Sequence, residues 1–416
     1  MSGFFPNRWL ILAAVVVINM CAGSAYAWSV LQKPLQELFH WSTQETTMAF
    51  TISLAMLPLA MIIGGKIQDH IGPRRVIACG ALFYGAGIIG AGFSTSLVAM
   101  YLTYGVLGGI GLGSIMACTI ANTVKFFPDR RGMASGLIAA GFGLGAVVLA
   151  PVSAALVEEY GILTTFKILG TTYMTVILAC TALVRTAPPD YRPVNWFPHS
   201  SAAVAVRRGA DKNWREVLSD PVFYLLWGMF GIAAVAGLMV IGHASPIGQE
   251  VVGLDSRTAA LAVSLLAIGN TSGRVIWGWI SDQLGRYNTV MIVFVLTAMV
   301  MAAMPQIRST LPFLAAITMI GLCYGGIVGI FPSIVADRFG TKHMGINYGL
   351  INTAYGVGAY AGPRLASHFK ETNHGDYTLA FIAAAGLCVL GLLLTLAARQ
   401  QIRKDLACTK SSPALP

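Results

Sequence analysis

The sequence predicts an all-α membrane protein of twelve transmembrane helices arranged as two pseudo-symmetric six-helix bundles. Three observations predict it. The 416 residues are 56% hydrophobic and only 11% charged, with a mean hydropathy of +0.70, which is more apolar than a water-soluble core requires. Twelve apolar runs approach or exceed the roughly 20 residues needed to cross the hydrocarbon. A glycine and aspartate motif that follows the second run recurs after the eighth, at an offset close to half the chain.

In order, the runs are 9–32, 46–65, 76–95, 98–124, 132–156, 163–185, 221–244, 258–281, 288–306, 311–335, 344–367 and 378–398. The first begins after Arg8 and includes the small-residue pattern Ala25-Tyr26-Ala27, so it could pass for a signal peptide. It is longer than a usual signal core and many further spans follow, so it is expected to be an uncleaved membrane helix. Between the sixth and seventh runs, residues 187–220 carry Pro188, Pro189, Pro193 and Pro198 with Arg207, Arg208, Asp211, Lys212 and Arg215, the composition of a polar linker. The expected organisation is a bundle over 1–186, the linker over 187–220, a second bundle over 221–400 and a tail over 401–416.

The net charge of +10 is spread singly or in pairs at the ends of spans, which argues for topology and against nucleic-acid binding. Apart from Arg274, only Lys33, Lys167, Arg257, Arg308, Arg364 and Lys370 fall on one side if the spans alternate. The positive-inside rule therefore places both termini and the linker in the cytoplasm of a multi-pass protein of the inner (plasma) membrane. The seven cysteines contain no CxxC pair, and six lie in apolar spans, so neither a disulfide framework nor a metal site is expected.

The repeat is Gly65-Lys-Ile-Gln-Asp69-His-Ile-Gly72 against Gly278-Trp-Ile-Ser-Asp282-Gln-Leu-Gly285, followed by Arg286. The same offset pairs Phe126 with Phe339, Gly136 with Gly349, Gly143 with Gly356 and Gly145 with Gly358. Together these matches predict two similar halves with a site at the midplane between them.

Arg274 is the residue that most needs a functional explanation. It falls inside the eighth run, where even lenient scales charge roughly 2.5 to 3.5 kcal/mol for a central arginine. One turn earlier, on the same helical face, stands Asn270, an amide where a carboxylate would have formed a private ion pair. The arginine is thus read as a site for an anionic ligand, the alternative being a structural arginine bonded to carbonyls of a neighbouring helix. With one central cation, a monoanion brings the site to neutrality and a dianion does not.

The repeated motif, GGKIQDHIGPRR over 64–75 and GWISDQLGR over 278–286, resembles the loop signature of the major facilitator superfamily. Resemblance implies gating and structural roles for Gly65, Asp69, Gly72, Arg130, Arg131, Asp282, Gly285 and Arg286, the alternative for Asp69 being a solvated loop charge. The stretch Phe126-Phe-Pro-Asp-Arg130-Arg131-Gly-Met-Ala-Ser-Gly136 through Gly145 is similar to the helix 4 to 5 signature of monocarboxylate transporters and oxalate/formate antiporters. Asn270-Thr-Ser-Gly-Arg274 resembles their helix 8, in which the arginine binds a substrate carboxylate. Gly23-Ser-Ala-Tyr26-Ala-Trp28-Ser and Phe331-Pro-Ser333 resemble helices 1 and 10 of the same group. Two departures stand out. Eukaryotic monocarboxylate transporters usually carry an aspartate at the position of Asn270, and the antiporter carries a lysine at that of Tyr355.

The expected function is secondary transport of a small monocarboxylate, lactate- or pyruvate-like, with a proton and by alternating access. An oxalate/formate-type exchanger and a transporter-like nutrient receptor are the alternatives. A membrane enzyme is disfavoured, because no nucleophile, base or metal cluster lies at membrane depth. Tyr26, Trp28, Tyr324, Asn352 and Tyr355 lie in segments that could line the site with Arg274 and Asn270. His243 is read either as a proton acceptor or as an interfacial residue. No cofactor is expected, and the partners are the acid, a proton and the bilayer.

Overall fold

The computed structural model describes residues 7–188, 191–193, 211–373 and 376–411. Twelve long helices run through them: α1 Arg8–Phe39, α2 Thr43–Ile71, α3 Pro73–Ala91, α4 Leu97–Phe126, α5 Arg131–Tyr160 and α6 Ile162–Thr181, then α7 Pro221–Ile241, α8 Ser256–Leu284, α9 Arg286–Ala303, α10 Thr310–Phe339, α11 Met344–Thr372 and α12 Thr378–Ser411. Eleven are long and apolar enough to cross a membrane. The exception is α11, which is 29 residues long but is made more polar by Asn347, Asn352 and its tyrosines.

The chain divides into two compact units. One comprises Met1–Asp129, Leu137–Trp196 and Thr341–Leu350, and the other Arg130–Gly136, Phe197–Gly340 and Ile351–Pro416. The first turns of α5 and of α11 therefore pack with the unit that does not hold the rest of their helix.

In the first unit, α1 is not wound uniformly. An α-helix from Arg8 to Ala22 tightens into a 3₁₀ segment over Gly23–Ala27 and resumes at Trp28. Its start is fixed by the Asn7 side chain, which caps the helix, and by Arg8, whose guanidinium grips Asp129 at 2.6 and 3.0 Å. Helix α4 contains a π-helical turn over Tyr101–Leu107. The turns between α2 and α3 and between α8 and α9 consist of a single residue each, Gly72 (φ 83°) and Gly285 (φ 86°). A positive φ at a one-residue connection is where glycine is required. The rest of the repeated motif, from Gly65 and from Gly278, continues the helix, and these two glycines act in packing.

The internal repeat is visible in those contacts. In the first unit a Cβ on Gly65 would collide with the Gly345 backbone, and Gly349 packs on Ile62. In the second, Gly278 meets the Gly132 carbonyl in the same way, and Gly136 packs on Val275. The four pairs keep one offset.

Most of the linker lies outside the described residues, including Pro189, Pro198, Arg207 and Arg208. Its end is helical, because Asn213 and Glu216 form a capping box on Trp214–Ser219. At the other terminus α12 continues past residue 400, and only 412–416 of the expected tail lie outside the described residues. Arg338, at the end of α10, binds Asp405 at 2.7 Å and Asp220 at 2.8 Å, while Lys212 binds Asp220 at 2.6 Å. These ion pairs hold the end of the linker, α10 and the last turns of α12 together.

Candidate functional site

Within the second unit α8 and α10 approach closely, and small residues on both permit it. A Cβ on Gly273 would collide with the Leu322 carbonyl, one on Gly321 with that of Leu266, and one on Gly325 with that of Asn270. Gly329 and Gly136 press on the Arg274 carbonyl from α10 and from the first turn of α5. Close backbone approach is how small residues bind helices in a membrane. Here it fixes the backbone that carries Asn270 and Arg274.

Arg274 is 5% exposed. Its Nε donates to Asn270 Oδ1 at 3.3 Å, one turn away. The amide orients the guanidinium without neutralising it, as the i, i+4 spacing predicts.

The other expected site residues divide into three groups. Asn352 is buried on α11 and Tyr355 is half-buried in the next turn, with its ring 6.3 Å from Phe230 of α7. Beside Tyr355, a Cβ on Gly356 would have open space around it. Tyr324 is turned toward α7, where its ring lies against Gly237 and lines a small cavity with Thr297, Cys323 and Cys388. That is a packing position within the second unit. In the first unit, Tyr26 is half-buried and meets Phe142 edge to face at 5.1 Å, whereas Trp28 is buried, 4.5 Å from Tyr104 and stacked on Phe50.

His243 joins two helices. Its Nδ1 lies 3.2 Å from the Met239 carbonyl, which can only accept, and its Nε2 lies 3.2 Å from Ser367 Oγ on α11.

The motif residues of the second unit form a connected network. Asp282 accepts from the Gly132 and Met133 N–H groups, both at 2.9 Å, at the start of α5. A carboxylate at a helix N-terminus satisfies donors that have no partner within the helix and meets the positive end of its dipole. Arg286 binds Asp282 at 2.6 Å and Asp337 at 3.0 Å, and Arg131 binds Asp337 at 2.6 Å. Ser135 Oγ lies 2.7 Å from the Gly329 carbonyl and 2.9 Å from Ser333 Oγ. In the first unit Asp69 lies 3.4 Å from His343 Nδ1. Arg130 is exposed, beside this network. The sequence reading missed Asp337 and Ser135. An acidic residue in the last turn of an apolar helix, Ala336-Asp337-Arg338, was the available signal for the first.

An all-helical membrane fold with a repeated motif and a buried, oriented arginine defines a solute transporter rather than an enzyme. The chain belongs to the Major Facilitator Superfamily, whose family model matches residues 12–363. It is 29% identical over 417 aligned residues to the oxalate:formate antiporter of Oxalobacter formigenes, covering 99% of this chain and 96% of that one. It is 25% identical to monocarboxylate transporter 12 of Homo sapiens, covering 90% and 77%. The solved structure of the proton:xylose symporter XylE superposes with a TM-score of 0.71 at 14% identity, covering 94% and 95%, which establishes the shared fold.

Proposed function

We propose that the protein is a secondary transporter of small monocarboxylate anions, with the carboxylate bound by Arg274. The observation that carries this reading is a buried guanidinium at the middle of an apolar helix, held by a neutral amide. Charge-assisted, bidentate pairing is what a guanidinium offers a carboxylate. Asn270, Asn352 and Tyr355 supply hydrogen bonds around the ligand, and Tyr26 is a further candidate contact from the α1 motif. Both termini face the cytoplasm, and the membrane is the plasma membrane.

Transport is coupled to a proton. An anion moving alone into a negative interior would be opposed by about 2.3 kcal/mol per 100 mV, and one accompanying proton removes that term. A second reading, exchange of organic anions, is supported by the near full-length similarity to an oxalate:formate antiporter. Isotope uptake into proteoliposomes for a panel of acids separates the two. Symport predicts accumulation above equilibrium driven by an inward proton gradient, with little response to a potassium diffusion potential. Uptake that requires internal counter-substrate and ignores the pH gradient would establish exchange instead.

A further inference from the structure

Behind the 3₁₀ segment of α1 lies a small cavity within the first unit. Its polar lining comes from five helices: Ser24 of α1, Tyr84 of α3, Tyr104 of α4, Ser153 of α5 and Tyr173 of α6. Each is at least nine-tenths buried.

Tight winding of α1 leaves the Ala22 carbonyl able to accept a bond from outside the helix, and Tyr84 reaches it at 3.3 Å. The same phenol oxygen lies 3.0 Å from Ser24 Oγ. Ser153 Oγ donates to the Leu149 carbonyl at 2.7 Å, which leaves it free to accept. Tyr173 is 3% exposed, and its hydroxyl faces those of Ser24 and Ser153 without a well-formed hydrogen bond to either.

A buried hydroxyl without a well-formed hydrogen bond is costly, and here it opens into a cavity bordered by other hydroxyls. The space admits about one water, and a buried water normally makes two to four hydrogen bonds. We propose that this cavity is a binding site for a structural water shared by Tyr173, Ser24 and Ser153. With Tyr84, that water fixes the 3₁₀ turn of α1. Tyr84 and Ser24 are then positioning residues, because the turn they hold carries Tyr26. This last step rests on the proposed role of Tyr26 at the substrate, whereas the water does not.

The water is tested by the apparent midpoint of thermal unfolding of the purified protein. Tyr173→Phe removes one hydroxyl and keeps the ring. If a water is shared, this variant lowers the midpoint by about 2–4 °C, and combining it with Ser24→Ala costs less than the two single effects together. A dry cavity predicts the opposite sign, since Phe removes a polar group that had no well-formed hydrogen bond. An unchanged or raised midpoint for Tyr173→Phe therefore overturns the proposal, as does strict additivity with Ser24→Ala. The positioning role is read from uptake kinetics. Tyr84→Phe should raise KM about five-fold, the loss of one neutral hydrogen bond, with the maximal rate little changed. An unchanged KM overturns that role. If Arg274→Lys transports normally the substrate reading fails by itself, and the stability results still decide the water.

Discussion

Asp282 and Asp69 occupy the same place in the two copies of the motif, yet their surroundings differ. Asp282 accepts two backbone N–H bonds and an arginine, and that arginine is held in turn by Asp337. The position of Arg286 is taken in the first copy by Pro73, and Asp69 has His343 beside it. Charge-assisted hydrogen bonds contribute about 1.5–3 kcal/mol each where they are partly buried. Asp282→Asn should therefore lower thermal stability clearly more than Asp69→Asn, measured as the melting midpoint in one detergent. Equal losses would mean that the α5 cap and the Arg286 pair contribute nothing. Arg274 and Asn270 were legible as a pair in the sequence, because i, i+4 spacing on a helix determines their meeting. The direction of Tyr324 was not, since helical periodicity does not say which neighbour a face will meet.

At the level of elements, the close pairing of α8 with α10 does most to fix the backbone at Arg274. Gly325→Ala would drive a methyl group into the Asn270 carbonyl, and both atoms belong to packed helices that cannot yield separately. Overpacking of this kind costs about 1–3 kcal/mol or more. The contrast is Gly356→Ala on α11, where nothing lies within 4 Å and the better helix former should be neutral or stabilising. Yield of folded protein by size-exclusion chromatography should drop for the first variant and hold for the second. Which helix the glycines at 321, 325 and 329 would meet required the fold.

A second element-scale expectation concerns Asp220, which caps α7 through the Val222 N–H. Burial by itself would raise its carboxyl, but Lys212, that N–H group and Arg338 outweigh burial and hold it below its ordinary value of about 3.8. A depressed carboxyl contributes stability that is full above the ordinary value and is lost as pH falls through the lowered one. Melting midpoints of the wild type and of Asp220→Asn should thus differ at neutral pH and converge in acid below about pH 3.8. Parallel curves down to the acid limit would remove Asp220 from this role. Asp220, Arg338 and Asp405 are far apart in sequence, which is why no local pattern joined them.

For the whole molecule, apolar run length and the motif repeat sufficed to read the helix order and the family. Run length sees only transfer energy, so it could not register the 3₁₀ segment in α1, the π-helical turn in α4 or the continuation of α12 past residue 400. Those depend on what each segment packs against. The central claim is that one arginine gives the transporter its anion site. Its most direct test is saturable uptake of a radiolabelled monocarboxylate by Arg274→Lys, normalised to folded protein in the membrane. Lysine keeps the charge and loses the planar fork, so uptake should fall at least about ten-fold, with a monodisperse chromatographic profile retained. Near wild-type saturable uptake by this variant would contradict the account.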